Sequence, residues 1–98
     1  MPAYIVATIN VTDPTRYQEY ARLAGPASAQ YGGKFLARGG AKITMEGDIP
    51  FSRIVITEFV DVEAAKRFYD SPEYQEARSK RLGAADFNMV IVEGAHAG

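Results

Sequence analysis

The side chains of this 98-residue sequence that are typed and spaced for chemistry centre on Arg38 and Glu58. A guanidinium holds a carboxylate or phenolate through paired, charge-assisted hydrogen bonds, and a neighbouring carboxylate can orient that ligand or take a proton from it. If the chain turns near Asp48 and the double glycine Gly39-Gly40 forms a one-residue bulge, Arg38 on one strand falls opposite Glu58 on the next. The same register also describes a partly buried ion pair that fixes the sheet or lines a subunit contact. Tyr20, Tyr69 and Tyr74 are placed to wall a pocket between helices and sheet, and Arg78, one turn beyond Tyr74, reaches toward the same cleft. Core packing explains the tyrosines equally well, and the run Arg78, Lys80, Arg81 also suits the negative end of a helix. Glu58 is the one candidate for a catalytic base.

Other chemistries fail on inventory. The single histidine, His96, lies in the terminal tail and there is no cysteine, so no metal site, thiolate chemistry or disulfide is expected. Without a core histidine to serve as base, no serine is set up as a nucleophile. Gly32-Gly33 and Gly39-Gly40 do not open a helix after a strand in a phosphate-binding pattern, and they read as a cap and a bulge. No cofactor is implied.

The elements that must position these residues follow from periodicity. Ala3 to Val11 alternates Ile5, Ala7, Ile9, Val11 against Tyr4, Val6, Thr8, Asn10, which is a strand with two differently dressed faces. Thr12 or Asp13 caps a helix opening at Pro14, whose stripe runs through Tyr17, Tyr20, Ala21, Ala24, Ala27, Ser28 and Tyr31. Gly25-Pro26 interrupts that stripe, so a kink or two abutting helices is expected. Lys34 to Arg38 reads as a strand that resumes over Ala41, Ile43 and Met45, and Gly47 to Pro50 as a turn. Arg53 to Phe59 is strongly β-coded. Asp61 caps a helix that stops at Ser71-Pro72, where another begins and runs to Leu82; Phe87 to Glu93 is the last strand.

The order is strand, helix, strand, strand, helix, strand. It predicts an α+β domain with a ferredoxin-like βαββαβ plan, a four-stranded antiparallel sheet carrying its helices on one face. The strands are apolar at both phases, so the other face needs a cover, and a second copy of the chain is the simplest one.

Composition agrees. A hydrophobic share of 47% and a charged share of 23% describe one globular domain spanning residues 1–98. Eleven basic against 12 acidic residues, interspersed, leave a net charge of -1, and nucleic acid is not an expected partner. The opening run alternates like a strand and lacks the features of a signal peptide, and no apolar window approaches the roughly 20 residues that span a bilayer. No membrane partner is expected, and the cytoplasm is the expected location.

The sequence resembles the family known as domain of unknown function 1330, of the dimeric α/β-barrel superfamily, over nearly its whole length. The carriers are Asp13-Pro14 with Tyr17 and Tyr20, the run Tyr31 to Leu36, Arg38-Gly39-Gly40, Glu46-Gly47-Asp48, Glu58-Phe59, and Ser71-Pro72-Glu73-Tyr74 with Arg78 and Arg81. The resemblance implies a ferredoxin-like subunit whose sheet stacks on that of a partner to close a barrel. It implies no particular activity, since the superfamily includes cofactor-independent monooxygenases, haem-degrading enzymes and proteins without known catalysis. Haem degradation would want a positioned histidine or tryptophan, which the core here lacks.

Three functions stay open at this point. One is a homodimeric small-molecule-binding protein. Another is a cofactor-independent monooxygenase or isomerase acting on a small aromatic or carboxylated metabolite, with Arg38 polarising and Glu58 as base. The last is a purely structural dimer whose barrel is filled by side chains.

Overall fold

Strand β1 (Ala3–Val11) realises the alternation directly: Ala3, Ile5, Ala7 and Ile9 are buried, and the residues between them face the other side of the sheet. The computed structural model describes residues 1–95; His96, assigned above to the tail, lies outside the described residues. After β1 come α1 (Pro14–Gln30), β2 (Lys34–Arg38), β3 (Arg53–Phe59), α2 (Val62–Asp70), α3 (Pro72–Arg81) and β4 (Ala85–Glu93). The strands form one antiparallel sheet in the order β2-β3-β1-β4, so β1 is internal and takes both β3 and β4 as neighbours. This is the ferredoxin-like α+β plan, with its second helical crossover divided into α2 and α3.

Short polar residues set the helix boundaries. The Asp13 carboxylate accepts from the Arg16 amide at 3.2 Å and opens α1, and Asp61 does the same for α2 through the Ala64 amide at 2.8 Å. Ser71 serves two helices. Its hydroxyl donates to the last-turn carbonyl of Phe68 at 2.7 Å and accepts from the Tyr74 amide at 3.1 Å, while Pro72 occupies the first position of α3, where no amide hydrogen is needed. Of the two outcomes expected at Gly25-Pro26, division into two abutting helices does not occur: one helix runs through Pro26 to Gln30. Ala24, Ala27 and Ser28, on both sides of the proline, are buried, and this shared packing holds the helix together despite the lost backbone bond.

The β2–β3 connection differs from expectation. The bulge falls at Leu36, between the pairs Phe35–Thr57 and Ala37–Ile56, and not at the double glycine. The Gly39 amide donates to the Ile54 carbonyl at 3.0 Å, β2 has ended at Arg38, and residues 39–52 form a loop without regular strand structure. Ala41, Ile43 and Met45 therefore do not resume the strand; Ile43 and Met45 are 85% and 86% exposed. The reason lies in the partner strand, which begins only at Arg53 and leaves nothing for them to pair with. Asn10 secures the returning end of this loop, donating to the Pro50 carbonyl at 2.6 Å and accepting from the Ser52 amide at 2.7 Å.

The helices lie on one face of the sheet. Beneath them Ile5, Ile9, Tyr20, Phe59, Phe68 and Tyr74 form the centre of the core. The opposite face presents Val6 and Thr8 from β1, Ile54 and Ile56 from β3, and Val90 and Val92 from β4, and no helix among the described residues covers it. The molecule is accordingly a two-layer slab, 42 × 38 × 16 Å. Among the described residues no helix is long and apolar enough to cross a membrane.

Candidate functional site

Small residues on the inner face of α1 create the site. Ala21, Ala24 and Ser28 place little side-chain volume above Ala7, Val55 and Thr57 of the sheet, and the gap is a narrow cleft with about 50 Å³ of room, the space of a few water molecules, open to solvent at its mouth. Most of its walls are apolar, and the charged groups in them are Arg38 and Arg53.

These two arginines arrive from opposite sides of one connection, Arg38 closing β2 and Arg53 opening β3. The Arg38 guanidinium lies 4.2 Å above the Phe35 ring, and Gly25 of α1 leaves room for it: a Cβ on that glycine would stand 3.2 Å from Nη2. The Arg53 guanidinium stacks against Gly39, a residue with φ of 68° that leaves no space for a side chain there, and sits 5.7 Å from the centroid of the Tyr17 ring. Its Nε is buried without a hydrogen-bond partner. No carboxylate lines the cleft, and the one ion pair among the described residues is Lys66 with Glu63, at 3.8 Å on the surface of α2. Both guanidinium groups thus border a mostly apolar cleft, Arg38 from an exposed position and Arg53 half-buried, and among the described residues neither pairs with an acidic side chain.

The cleft also carries phenols. Tyr20 and Tyr74 share a hydrogen bond of 3.1 Å between their hydroxyls, and Nη2 of Arg81 donates to the Tyr74 oxygen at 3.4 Å. Burial pushes the Tyr20 hydroxyl far above the ordinary tyrosine range, and the adjoining Tyr74 adds to the shift. Burial raises Tyr17 too, against the opposing pull of Arg53. Both remain neutral hydrogen-bonding groups, poorly suited to take a proton. The sign follows directly for stability. A phenol whose folded-state pKa exceeds its unfolded value of 10.0 stabilises the fold fully below that pH, and the contribution is lost as pH rises from there toward the folded value. Urea unfolding midpoints should therefore be insensitive to these groups between pH 7 and about 9.5, then fall as pH rises past 10, with less fall in Tyr20→Phe.

Of the residues singled out from sequence, Tyr20, Arg38 and Tyr74 meet in this cleft. Tyr69 and Arg78 do not; they line a second cavity beside β4. Glu58 is in neither. Arg38 pairs with Val55, whereas Glu58 pairs with Lys34 on β2 and Tyr4 on β1, so the expected Arg38–Glu58 register is wrong. Val55 and Glu58 are three residues apart on one strand and point to opposite faces, which places Glu58 on the sheet face away from the helices. A bulge at Leu36 in place of the double glycine, together with the longer loop, produces this register.

Sequence reasoning passed over Arg53, Tyr17 and Ser28 as site residues. For Arg53 a signal existed: it shares the strand phase of Val55, Thr57 and Phe59, the inward side of β3.

Fold and site together define a ferredoxin-like α+β protein with an arginine-rimmed, carboxylate-free cleft under its first helix. The chain belongs to the DUF1330 family, described as Domain of unknown function, whose profile matches residues 2–95. None of the curated proteins matches it. Among solved structures it is similar to a protein of unknown function from Rhodopseudomonas palustris, at 22% identity and a TM-score of 0.77 over 98% of this chain and 84% of that one. A dimeric ferredoxin-like protein of unknown function from Jannaschia sp. CCS1 superimposes with a TM-score of 0.77 at 13% identity, covering 96% and 100% of the two chains. SnoaB, a cofactor-independent oxygenase from Streptomyces nogalater, does so with 0.69 at 14% identity, covering 98% and 95%. At these identities the likeness is one of fold.

Proposed function

We propose that this chain is a homodimeric binding protein for a small, largely apolar anion, a carboxylate or phenolate, held in the cleft between α1 and the sheet. The observation that carries this reading is the pair Arg38 and Arg53, turned toward an apolar space that no carboxylate lines. Guanidinium groups in such surroundings gain most from an anion supplied by a ligand.

Dimerisation is supported by the open sheet face, where Val90 and Val92 are 56% and 48% exposed beside the half-buried Val6, Ile54 and Ile56. A two-fold partner covers such a face with its own equivalent, and the Jannaschia neighbour is described as dimeric. Tyr4, Lys34 and Glu58 then belong to the subunit contact and not to the ligand site.

Binding is favoured over oxygenase or isomerase chemistry because the cleft lacks a proton acceptor. Glu58, the expected base, faces away, and the buried phenols Tyr17 and Tyr20 hold their protons.

Native mass spectrometry of the protein as purified, followed by titration with benzoate and with benzyl alcohol as its uncharged counterpart, tests the reading. A dimer that binds benzoate and discriminates against the alcohol is expected. Arg38→Ala and Arg53→Ala should each weaken benzoate about 10- to 100-fold, the worth of a charge-assisted hydrogen bond, while thermal unfolding stays cooperative. A monomer would sink the homodimer, and equal affinity for acid and alcohol would sink the anion site.

A further inference from the structure

The second cavity lies at the other end of the helix-covered face, between α2 and α3 on one side and β4 on the other. It offers about 450 Å³, open to solvent, and Arg78 and Arg81 contribute its charge. They stand one helical turn apart on α3, and both line the cavity. Arg81 is only 8% exposed, an unusual state for an arginine without an acidic partner. Aromatic rings cover the flat of its guanidinium, Phe87 at 3.9 Å and Tyr20 at 5.5 Å, and Nη2 reaches the Tyr74 hydroxyl. The in-plane Nε of Arg81 finds no acceptor, and neither does the buried Nε of Arg78. Withdrawing a cation from water is costly unless it is paired and its donors are met.

From this we infer a second anion site, separate from the α1 cleft, that takes a carboxylate with a short apolar body. Ring stacking satisfies the faces of the Arg81 guanidinium and leaves its edge, and an edge donor is matched by the planar oxygen pair of a carboxylate. The remaining walls, Ile5, Phe87, Met89, Val90 and Ile91 with the ring of Tyr69, are mostly apolar and suit an alkyl or aryl tail better than a free inorganic anion. The cavity shares Ile5, Phe87 and Met89 with the cleft, so these side chains stand between the two sites.

The test is a titration of the full chain with hexanoate, and separately with hexanol, followed through the arginine Nε–Hε NMR signals. Saturable shifts at Arg78 and Arg81 with hexanoate, absent with hexanol, are expected. They should persist in the Arg38→Ala/Arg53→Ala double variant, which keeps this site apart from the proposed function of the cleft. Arg78→Gln, at the less buried position, should weaken hexanoate about tenfold or more, and Arg81→Lys should weaken it while retaining the charge. No saturable shift, an equal response to hexanol, or loss of the response in the double variant would each overturn the second site.

Discussion

Tyr74→Ala should lower the stability of the protein by about 3–5 kcal/mol, a large share of the roughly 5–15 kcal/mol that holds a domain together. Tyr74 is fully buried, and its ring meets Phe68 at 4.7 Å, Tyr69 at 5.3 Å and Tyr20 at 6.1 Å between centroids. It therefore joins α3 to both α1 and α2, and removing the ring opens a void where three elements meet. The truncation also leaves the Tyr20 hydroxyl and one Arg81 donor without their shared partner. Tyr74→Phe separates these effects, keeping the packing and deleting the oxygen, and should cost about 1–2 kcal/mol. Urea denaturation of both variants checks the ordering; a phenylalanine variant as unstable as the alanine one would show that the hydroxyl network, not the ring, holds the helices.

Gly33→Val should be comparably damaging, through crowding. A Cβ at Gly33 would collide with the Ser28 hydroxyl and stand 2.8 Å from Cζ of Phe59 and 2.9 Å from the Ser28 carbonyl oxygen. That carbonyl accepts the amide hydrogen of Gly33 itself at 2.8 Å, and Phe59 is 1% exposed and packed on Phe68 at 5.2 Å, so neither can retreat cheaply. Overpacking of this kind costs about 1–3 kcal/mol for the first added group and more for a branched one. The preceding glycine supplies the control. Gly32 has a φ of 82° with nothing within 4 Å of its would-be Cβ, so Gly32→Ala carries only the left-handed penalty of about 1–2 kcal/mol. Thermal melts should rank Gly33→Val below Gly32→Ala, and the reverse order would place the constraint in backbone conformation instead of space.

What could be read from the sequence was what local periodicity and capping encode. β1, β3 and the Asp13, Asp61 and Ser71-Pro72 boundaries stand where the alternation and the cap residues put them, because each signal acts within a few residues. Register across a long connection is different. Whether Arg38 meets Glu58 or Val55 depends on a bulge at Leu36, which no glycine marks, and on a loop whose apolar alternation imitates a strand. A register error of an odd number of residues, here the three from Glu58 to Val55, exchanges the faces, which is why one residue of the expected pair was lost to the site. The cleft was hidden for another reason. Ala21, Ala24 and Ser28 register as helix-stripe residues, but the gap they leave depends on what stands opposite. The burial of Arg81 was masked by an adequate simpler account, a cation near a helix C-terminus.

The sheet order bears on how the chain folds as it is made. Of the four strands β1 is the first to be synthesised, yet its partners are β3 and β4, and the pair Ala3–Glu93 joins the start of the first strand to the end of the last. Contacts of such sequence separation are slow to close, and here they cannot close until β4 has left the ribosome. A nascent chain that has reached α3 holds β1 with one hydrogen-bonding edge bare and Ile5, Ile9 and Phe59 only partly covered, the state in which strands pair with the wrong molecule. Completion of the sheet thus waits for β4 to emerge, and a ribosome stalled before Ala85 would hold a chain prone to aggregate.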